Sequence, residues 1–466
     1  MRSGVIGRLG LLVALALAEP MGAVEQDTTA PLPYPEPPRQ PVGTPDRMSF
    51  LDDRLQLRLT TVAKGIYFDD FASRPAEEDE EIEALARLRV RAQLRLSERI
   101  DGRLDGRVNL RWERDTLRDE DLHVDGELTE AWLRLREPLA AGEGFVQLGR
   151  SQLREPRGWW WDEEFESLRI GYDSSLWQFQ LGVGERLSQD EIDDDGRRDL
   201  RDELTWFFGE LSHQWFFENR IELRWLTQID RDRGPSVGAS TAQLAADEDV
   251  TWLGVSARGR APKRWLGLPV RYWIDFAWSG GEEVRLRKNP GSSVVALRDS
   301  RNVSGAGLDL GATLETLLPG RPAISASYAF GSSEYRQPSL KRNRDALAGV
   351  ARFRFYGEVL RPQLANLHVL TASLGLPLGP HLWLETAAHQ YWQDRRRTSL
   401  RDDPFAQAPN GRDRDLGRAV DVVLALRPDG PWIFDVAYGV FWSGHAYDAR
   451  GRDAHRVNVR LGRHYP

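Results

Sequence analysis

The chain contains no cysteine among its 466 residues, which excludes both a disulfide framework and a lipid anchor on an N-terminal cysteine. It also lacks long apolar runs: beyond residue 23 there is no stretch of the roughly 18 apolar residues that a membrane-spanning helix needs. Basic residues are outnumbered, 63 against 71 acidic ones, so the net charge of −8 provides no basic excess for nucleic acid. A membrane-spanning chain of this composition would have to be a closed β-barrel.

Motifs of enzymes and metal sites are equally scarce. The chain has no HExxH, no GxSxG and no glycine-rich phosphate loop, and its eight histidines show no metal-ligand spacing. Two acidic clusters, Asp162–Glu164 and Asp193–Asp195, could serve acid–base chemistry, but acidic loops that bind calcium or are simply solvated are the favoured interpretation. We therefore predict a protein that is not an enzyme, with no cofactor and no bound metal.

The N-terminus has the pattern of an export signal. Residues 1–23 combine an arginine-bearing start, a short apolar run and small residues, which predicts a secretory signal peptide cleaved after Ala18 or after Ala23. Residues 24–50 are rich in proline, which disfavours helix and ladder pairing and predicts an extended periplasmic lead-in. The remaining residues, 51–466, are predicted to form one barrel.

Period-two alternation dominates this remaining part, in segments of about ten residues. In the last segment Val457, Val459 and Leu461 share one face, while Arg456 and Arg460 lie on the other. One face suits lipid and the other a water-filled lumen, so the pattern predicts an all-β, transmembrane antiparallel β-barrel of about 18 strands. The predicted strands start near residues 54, 86, 101, 127, 143, 165, 176, 203, 217, 248, 266, 303, 321, 363, 379, 415, 431 and 453.

The links between these segments alternate between short and long, as periplasmic turns and extracellular loops do in such barrels. The short, periplasmic links are predicted at Arg99–Gly102, Leu318–Gly320, Leu376–Pro380 and Pro428–Pro431. The long, extracellular links are predicted at Arg74–Glu83, Arg231–Asp247, Glu282–Asn302, Glu334–Pro362 and Arg395–Arg414. The Glu334–Pro362 link keeps the alternation, with Arg352 and Arg354 opposite Phe353 and Phe355, which predicts a loop folded over or into the barrel.

Many of the 17 tryptophans lie near the predicted strand ends. In membrane barrels such residues form girdles at the lipid headgroups, and ordinary packing is an equal alternative for each of them. The residues concerned are Trp159–Trp161, Trp206, Trp215, Trp265, Trp273, Trp278, Trp392, Trp432 and Trp442.

Several short sequence motifs, which follow one another in a fixed order along the chain, are more specific than the composition. They are GRSQLREPRGWWWDEEFESL (149–168), TWLG (251–254), LPVRYW (268–273), GLDLG (307–311), YAFGSS (328–333), NRDALAG followed by YGEVLRPQLANL (343–367), DLGRAVDVV (415–423) and GVFWSGHAY (439–447). Together they resemble the alginate-export family of outer-membrane β-barrels. The resemblance implies an 18-stranded barrel whose electropositive lumen conducts an anionic polysaccharide such as alginate. The chain is expected to reach the outer membrane after export through the Sec pathway. Its expected partners are that polymer, the lipid bilayer with lipopolysaccharide, and periplasmic export-complex proteins, but no nucleic acid.

The resemblance also implies a pore constriction made of arginines and a few carboxylates. Its matching residues here are Arg58, Arg89, Arg344, Arg352, Asp162 and Asp193. Further pore-lining candidates are Arg150, Arg154 and Arg361 within the matching stretches, and Arg456 and Arg460 on the polar face of the last segment. Four positions depart from the family pattern by lacking an expected arginine: Thr129, Gln152, Asp435 and Ala437.

Arginine suits the transport of a polyuronate because its guanidinium stays charged and pairs with carboxylates in a bidentate manner. The polar faces supply further arginines, namely Arg107, Arg111, Arg134, Arg136, Arg224, Arg271, Arg456 and Arg460. In the alternative interpretation, acidic neighbours neutralise these wall arginines in ladders, and the barrel is a general diffusion porin for small, anionic solutes. The sequence leaves both interpretations open.

Overall fold

The computed structural model describes residues 48–69, 80–115, 120–139, 141–187, 204–216, 218–231, 237–238, 248–261, 267, 269–288, 295–318, 320–401, 405, 407–448 and 453–465. The predicted signal peptide, most of the predicted lead-in and Asp193 lie outside the described residues. The last residues of that lead-in, Met48–Phe50, pair with the first barrel strand, so ladder pairing begins slightly earlier than predicted.

Strands make up nearly all of the regular structure. They are β1 (Met48–Phe50), β2 (Leu55–Asp69), β3 (Glu80–Arg95), β4 (Ile100–Asp115), β5 (Asp121–Leu139), β6 (Gly142–Arg154), β7 (Asp162–Asp173), β8 (Trp177–Glu185), β9 (Leu204–Phe216), β10 (Asn219–Asp230), β11 (Glu248–Ala261), β12 (Val270–Lys288), β13 (Val295–Glu315), β14 (Ala323–Gly331), β15 (Arg344–Asp345), β16 (Phe353–Arg354), β17 (Leu367–Pro377), β18 (Leu382–Gln393), β19 (Asp415–Leu426), β20 (Trp432–Ser443) and β21 (Asp453–Tyr465). In the described part of the chain, no helix is long and apolar enough to cross a membrane.

Within the described residues, β2 to β14 and β17 to β21 form one closed, antiparallel barrel of 18 strands. Each strand pairs with its neighbours in chain order, and the last strand, β21, pairs with the first, β2, from Leu59↔Tyr465 to Asp69↔His455. Closure leaves no unpaired edge, which is the condition for strands to span a bilayer. The predicted all-β barrel of about 18 strands is confirmed.

The alternation of the sequence accounts for the two faces of the wall. In β12, Ile274, Phe276 and Trp278 are exposed on the outside, whereas Asp275 and Ser279 are buried on the inner face. Because side chains alternate across a strand, one register places every apolar residue of such a segment toward lipid. The outer surface is therefore apolar, as the pattern predicted, while the inner face carries the polar residues together with part of a buried apolar cluster.

Several predicted boundaries were wrong. The strands β3 and β5 begin at Glu80 and Asp121, six residues before the predicted starts near 86 and 127. The predicted long link Glu282–Asn302 is instead mostly ladder, because β12 continues to Lys288 and Glu282 pairs with Asn302 in β13. The predicted turn Arg99–Gly102 lies about three residues too late, since Ile100 already begins β4. The prediction treated charged segments as loops. Backbone pairing, however, does not require apolar side chains once a strand leaves the membrane.

The girdle interpretation was wrong for four of the tryptophans. Trp159, Trp160, Trp161 and Trp206 are at most 1% exposed and belong to a buried cluster inside the barrel. Trp215 is 55% exposed, as a residue of an interfacial girdle would be. A tryptophan near a strand end can point toward the lipid headgroups or toward the interior of the barrel, and its position along the chain does not distinguish the two.

The segment between β14 and β17, residues 332–366, lies inside the barrel. Its backbone carbonyls accept hydrogen bonds from inward side chains of three wall strands: the Trp252 indole (2.5 Å), the Thr313 hydroxyl (3.1 Å) and the Tyr391 hydroxyl (2.9 Å). Most of its apolar side chains are buried in the interior cluster. We call this segment the inward loop; its alternation predicted a location over or inside the barrel.

The closed ladder gives a simple expectation for the purified protein. Without heating, the detergent-solubilised chain should migrate faster in SDS gel electrophoresis than the boiled chain, because a hydrogen-bonded barrel stays compact in the detergent. Circular dichroism should show strand and little helix. A large helical signal, or a chain that remains soluble and monomeric without detergent, would contradict the barrel.

Candidate functional site

A cavity of about 1760 Å³ occupies the interior of the barrel. It extends from the turns at the end of the barrel where the chain enters, around Arg54 and Pro428–Pro431, to the inward loop at Arg342–Phe353. Its lining contains nineteen arginine and lysine residues and nine aspartate and glutamate residues. A cavity with this imbalance has a positive field although the whole chain carries a net charge of −8.

The structure brings together part of the predicted constriction. Six candidates line the cavity: Arg58, Arg89, Arg154, Arg344, Arg352 and Arg460. Four further candidates are described but do not line it: Arg150, Asp162, Arg361 and Arg456. Asp193 lies outside the described residues.

Arg344 is an exposed cation on the inward loop. Its guanidinium makes no hydrogen bond or salt bridge with any described residue, although its backbone NH donates to the carbonyl of Arg157 at 3.2 Å. Although the side chain is open to the cavity, the surrounding barrel desolvates the guanidinium and lowers the pKa of Arg344. The charges of Arg460 and Arg361 lower it further, against the opposing effect of Glu358. Such a cation, surrounded mainly by other cations, can bind an anion from the cavity.

Arg352 has a different environment from Arg344. Its Nη2 donates to the carbonyls of Pro156 (3.0 Å) and Arg344 (2.9 Å), and the same atom lies 3.8 Å from Asp162 Oδ2. The side chain therefore links the inward loop to the segment between β6 and β7. Arg352 contributes charge to the cavity, but part of its hydrogen-bonding capacity is already used.

Arg89 on β3 belongs to a wall ladder. Its Nε and Nη2 donate to the two oxygens of Asp105 at 2.6 and 2.7 Å, and Arg91 donates to the same carboxylate at 2.8 Å. Asp105 is fully buried between the two arginines. Because the two arginines share one carboxylate, one positive charge remains in excess at this level of the wall.

The wall arginines highlighted in the sequence are mostly paired. Six of the eight have a carboxylate partner: Arg107 with Glu127, Arg111 with Glu113, Arg136 with Asp101, Arg224 with Glu222, Arg271 with Glu315 and Arg460 with Asp435. The other two, Arg134 and Arg456, form no salt bridge with a described residue. The ladder interpretation therefore fits most, but not all, of these positions.

Three other candidates do not line the cavity and contact other side chains. Arg150 is buried and donates to Glu166 at 3.1 Å. Arg361 donates to Glu358 at 2.9 Å within the inward loop. Arg456 is buried with its guanidinium 5.2 Å from the ring centre of Phe68.

The family departures on β5 and β6 are satisfied within the wall. Thr129 is buried at an irregularity in the β4–β5 register, and its hydroxyl donates to the carbonyl of Asp105 at 3.0 Å. Gln152 donates to Asp162 at 2.7 Å. Asp162 is thus held by the residue that replaces the expected arginine.

The departures on β20 make the charge of the cavity asymmetric. Asp435 forms salt bridges with Arg427 (2.6 Å) and Arg460 (3.8 Å), and Ala437 adds no charge to the lining. Most of the lining arginines instead come from β2 to β7. The positive field is therefore concentrated on one side of the cavity.

A buried arginine that the sequence did not single out anchors the inward loop. Arg157 donates to Asp275 at 2.8 Å and to Asp309 at 3.0 Å, and its Nε lies 3.7 Å from Asp345 beside Arg344. Burial alone would lower the pKa of Arg157, but Asp309 and Asp275 hold it above its usual value. The sequence indicated this contact only through Asp275 and Asp309, which are far apart in the chain and lie on inner strand faces with few other charges.

Glu358 forms a second anchor of the inward loop. It accepts hydrogen bonds from the backbone NH of Arg354 (2.8 Å) and from Arg361 (2.9 Å), while its own NH donates to Asp421 at 3.1 Å. Burial alone would raise the pKa of Glu358, but Arg361 and the Arg354 NH hold it below its usual value. Glu358 thus neutralises one cation of the loop and fixes its position against β19.

Among the described residues, no group of three or more histidine, aspartate or glutamate side chains is arranged to hold a metal ion. The charged groups of the cavity are predominantly guanidiniums, which bind anions through Coulomb attraction and hydrogen bonds. The arrangement can therefore attract, orient and release negatively charged groups.

A closed barrel with an apolar outside and a charged interior is the architecture of an outer-membrane channel. Its fold is similar to crystal structures from Pseudomonas aeruginosa: OccK5 (OpdH), with TM-score 0.54 at 12% identity, covering 90% of this chain and 99% of that one, and OccK7 (OpdD), with TM-score 0.53 at 12% identity, covering 88% and 99%. The alginate export family matches residues 47–460, and the chain belongs to this family. The barrel is accordingly located in the outer membrane.

Curated relatives of the chain carry the name alginate production protein AlgE. The protein from Pseudomonas aeruginosa is 25% identical over 60% of this chain, and that from Pseudomonas syringae pv. tomato 26% identical over 52%. These matches span 59% and 51% of the two relatives' own length. The protein from Azotobacter vinelandii is 28% identical over 75% of this chain and 77% of its own length.

Proposed function

We propose that the barrel is a channel, without catalytic activity, that exports an anionic exopolysaccharide, alginate or a similar polyuronate. The observation that carries the proposal is the positive cavity, in which Arg344 is exposed on the inward loop without a described partner. Membership of the alginate export family and the names of the relatives support the same substrate class.

A polyuronate chain would be bound weakly at several places along the cavity. Each carboxylate can form charge-assisted hydrogen bonds with a guanidinium, and the positive field lowers the barrier for the polymer to enter. Conduction also requires that the polymer leave, so several accessible cations serve better than one tightly binding pocket. Arg154, Arg344, Arg352 and Arg460 would provide such contacts, and the buried Arg58 would add its charge to the field. Asp162 and Arg361 would hold the loop that presents them.

The remaining partners follow from this role. The apolar outer face, with exposed residues such as Leu104 and Val108, would contact the lipid bilayer and lipopolysaccharide. The cavity opens among the turns at the periplasmic end, where export-complex proteins would deliver the polymer. No nucleic acid and no cofactor has a role in this mechanism.

A general diffusion porin for small anionic solutes is the second candidate. The paired wall arginines and the departures at Asp435 and Ala437 favour it, because they reduce the charge available to a polymer. This alternative predicts anion preference without recognition of a polymer, so the two functions respond differently to an oligosaccharide.

Planar-bilayer recordings of the purified chain separate the two functions. In a potassium chloride gradient we expect anion selectivity, because the cavity lining is predominantly basic. A linear hexamer of uronate should reduce the current at concentrations where a neutral glucose hexamer has no effect. Cation selectivity would contradict both candidates, and equal responses to the two hexamers would favour the diffusion porin.

A further inference from the structure

Three residues on the basic side of the cavity lie side by side on adjacent strands. Arg134 on β5 pairs in register with Gln147 on β6, and Gln147 pairs with Arg169 on β7. Adjacent strands are about 4.8 Å apart, so the three side chains leave the wall at one level. All three line the cavity, and none belongs to the inward loop.

The two guanidiniums in this row are bonded to neutral groups. Arg134 donates through Nε and Nη2 to Gln147 Oε1, at 2.9 and 2.6 Å, and Arg169 donates to the hydroxyl of Ser151 at 2.9 Å. Neither forms a salt bridge with a described residue. In this they differ from neighbouring wall arginines such as Arg107, which is paired with Glu127.

Two buried donors in the row have no acceptor. Gln147 is 1% exposed and Arg169 8% exposed, yet Gln147 Nε2 and Arg169 Nε have no hydrogen-bond partner. The orientation of the Gln147 amide follows from its neighbour, because only its oxygen can accept from Arg134. Buried donors without a partner are costly, so a small rotation of either side chain toward an acceptor oxygen in the cavity would be favourable.

The nearby acids are committed to other donors. Asp101 forms a salt bridge with Arg136, which also lies 3.4 Å from Glu143. Asp173 accepts a hydrogen bond from Gln178 at 2.8 Å. Glu130 is paired with Arg103 at 2.8 Å, so among the described residues no carboxylate is bonded to the row.

Aromatic rings fix the position of the row and add an apolar surface. The Arg134 guanidinium lies 5.3 Å from the ring centre of Trp132 and 4.7 Å from that of Phe145. Trp132 also lines the cavity. A sugar ring whose carboxylate meets Arg134 could place a face of its carbon skeleton against this indole.

We propose that Arg134, Gln147 and Arg169 form a carboxylate-binding site for one uronate residue, with Trp132 against the sugar ring. The inference rests on the proposed function, since a polyuronate supplies both the carboxylate and the ring. The site lies on the wall, apart from Arg344 and the inward loop. It gives the polymer a defined contact in the part of the cavity that precedes the loop.

Binding of the uronate hexamer to the detergent-solubilised full chain, measured by titration calorimetry, tests this site. The variant Arg134→Gln/Arg169→Gln should weaken binding by about tenfold or more, because both charge-assisted contacts are lost. The matched control Arg107→Gln/Arg271→Gln removes two cavity cations that are already paired, and should weaken binding clearly less. Both variants should keep the heat-dependent gel migration, which shows that the barrel is folded.

The outcomes separate the site from the proposed function. Wild-type affinity in Arg134→Gln/Arg169→Gln, together with tight binding by the wild type, would overturn the site and leave the function standing. Equal weakening in the control would also overturn it, since general charge would then explain the binding. A wild type that does not bind the uronate hexamer would contradict the function itself. Equal binding of the neutral glucose hexamer would overturn the assignment of a carboxylate.

Discussion

Replacing Arg344 and Arg352 together by glutamate is expected to abolish or invert the anion preference of the channel. The guanidinium of Arg344 is exposed without a described partner, and the Arg352 side chain is one-third exposed. At an effective dielectric constant of about 20, one unit charge about 6 Å from a passing ion contributes roughly 3 kcal/mol. Reversing two charges in a narrow passage therefore changes the barrier by several times the thermal energy.

Reversal potentials in a salt gradient measure this effect directly. The double variant Arg321→Glu/Arg412→Glu is the matched control, because it makes the same change in net charge at exposed positions that do not line the cavity. The control should retain the wild-type selectivity. Unchanged selectivity and conductance in the Arg344→Glu/Arg352→Glu variant would place both residues outside the conducting path and leave the diffusion porin as the better interpretation.

The single substitutions should not be equivalent. Arg352 is held by two backbone carbonyls and lies near Asp162, whereas the guanidinium of Arg344 has no described partner. Most of the change in selectivity should therefore come from Arg344. Part of the effect of Arg352→Glu should come from a displaced inward loop, because the substitution removes its link to Pro156.

The fold was predictable because barrel strands have a strong local signature. Period-two alternation located the starts of β11, β19 and β21 at residues 248, 415 and 453, where the structure has them. The same signal failed at β13, which begins at Val295 instead of near residue 303, because Arg298, Asp299 and Arg301 interrupt the alternation near its start. Alternation reports which face a residue occupies in the membrane, and it loses its meaning where the strand continues into water.

The candidate site was less predictable, since pairing depends on register between strands. Arg89 and Arg134 are both inward arginines by alternation, yet Asp105 neutralises the first and no described carboxylate pairs with the second. Nothing near either residue in the sequence distinguishes them. The partner is set by which residue lies opposite on the next strand, and a shift of one residue would change every pair.

The inward loop depends on contacts that are remote in sequence. The Arg157 guanidinium is held between the rings of Trp273 and Phe355, each 4.6 Å from the guanidinium carbon, and binds Asp275 and Asp309 on two wall strands. These contacts join the segment between β6 and β7, the wall and the loop. Arg157 is therefore a positioning residue: it holds the loop that carries Arg344 without itself lining the cavity.

Substituting Arg157 by methionine is expected to release the inward loop from the wall. The change leaves Asp309 buried without a cation and leaves Asp275 with only Arg224, 4.0 Å away. Breaking a buried pair from one side typically costs about 3–5 kcal/mol. The barrel ladder should survive, because none of its backbone pairs involves Arg157. We therefore expect a folded, heat-modifiable barrel with larger and noisier conductance, and tryptic cleavage at the arginines of the loop.

The triple variant Arg157→Met/Asp275→Asn/Asp309→Asn distinguishes loss of charge balance from loss of the side chain. Asparagine keeps the acceptor oxygens that bind the Ser256 and Tyr356 hydroxyls but removes the uncompensated charges. Resistance of the loop to trypsin should largely return, since replacing all members of a buried ionic cluster is far less costly than removing one. If Arg157→Met alone leaves conductance and proteolysis at wild-type levels, Arg157 does not anchor the loop. The apolar contacts of the loop, together with Glu358, would then hold it in place.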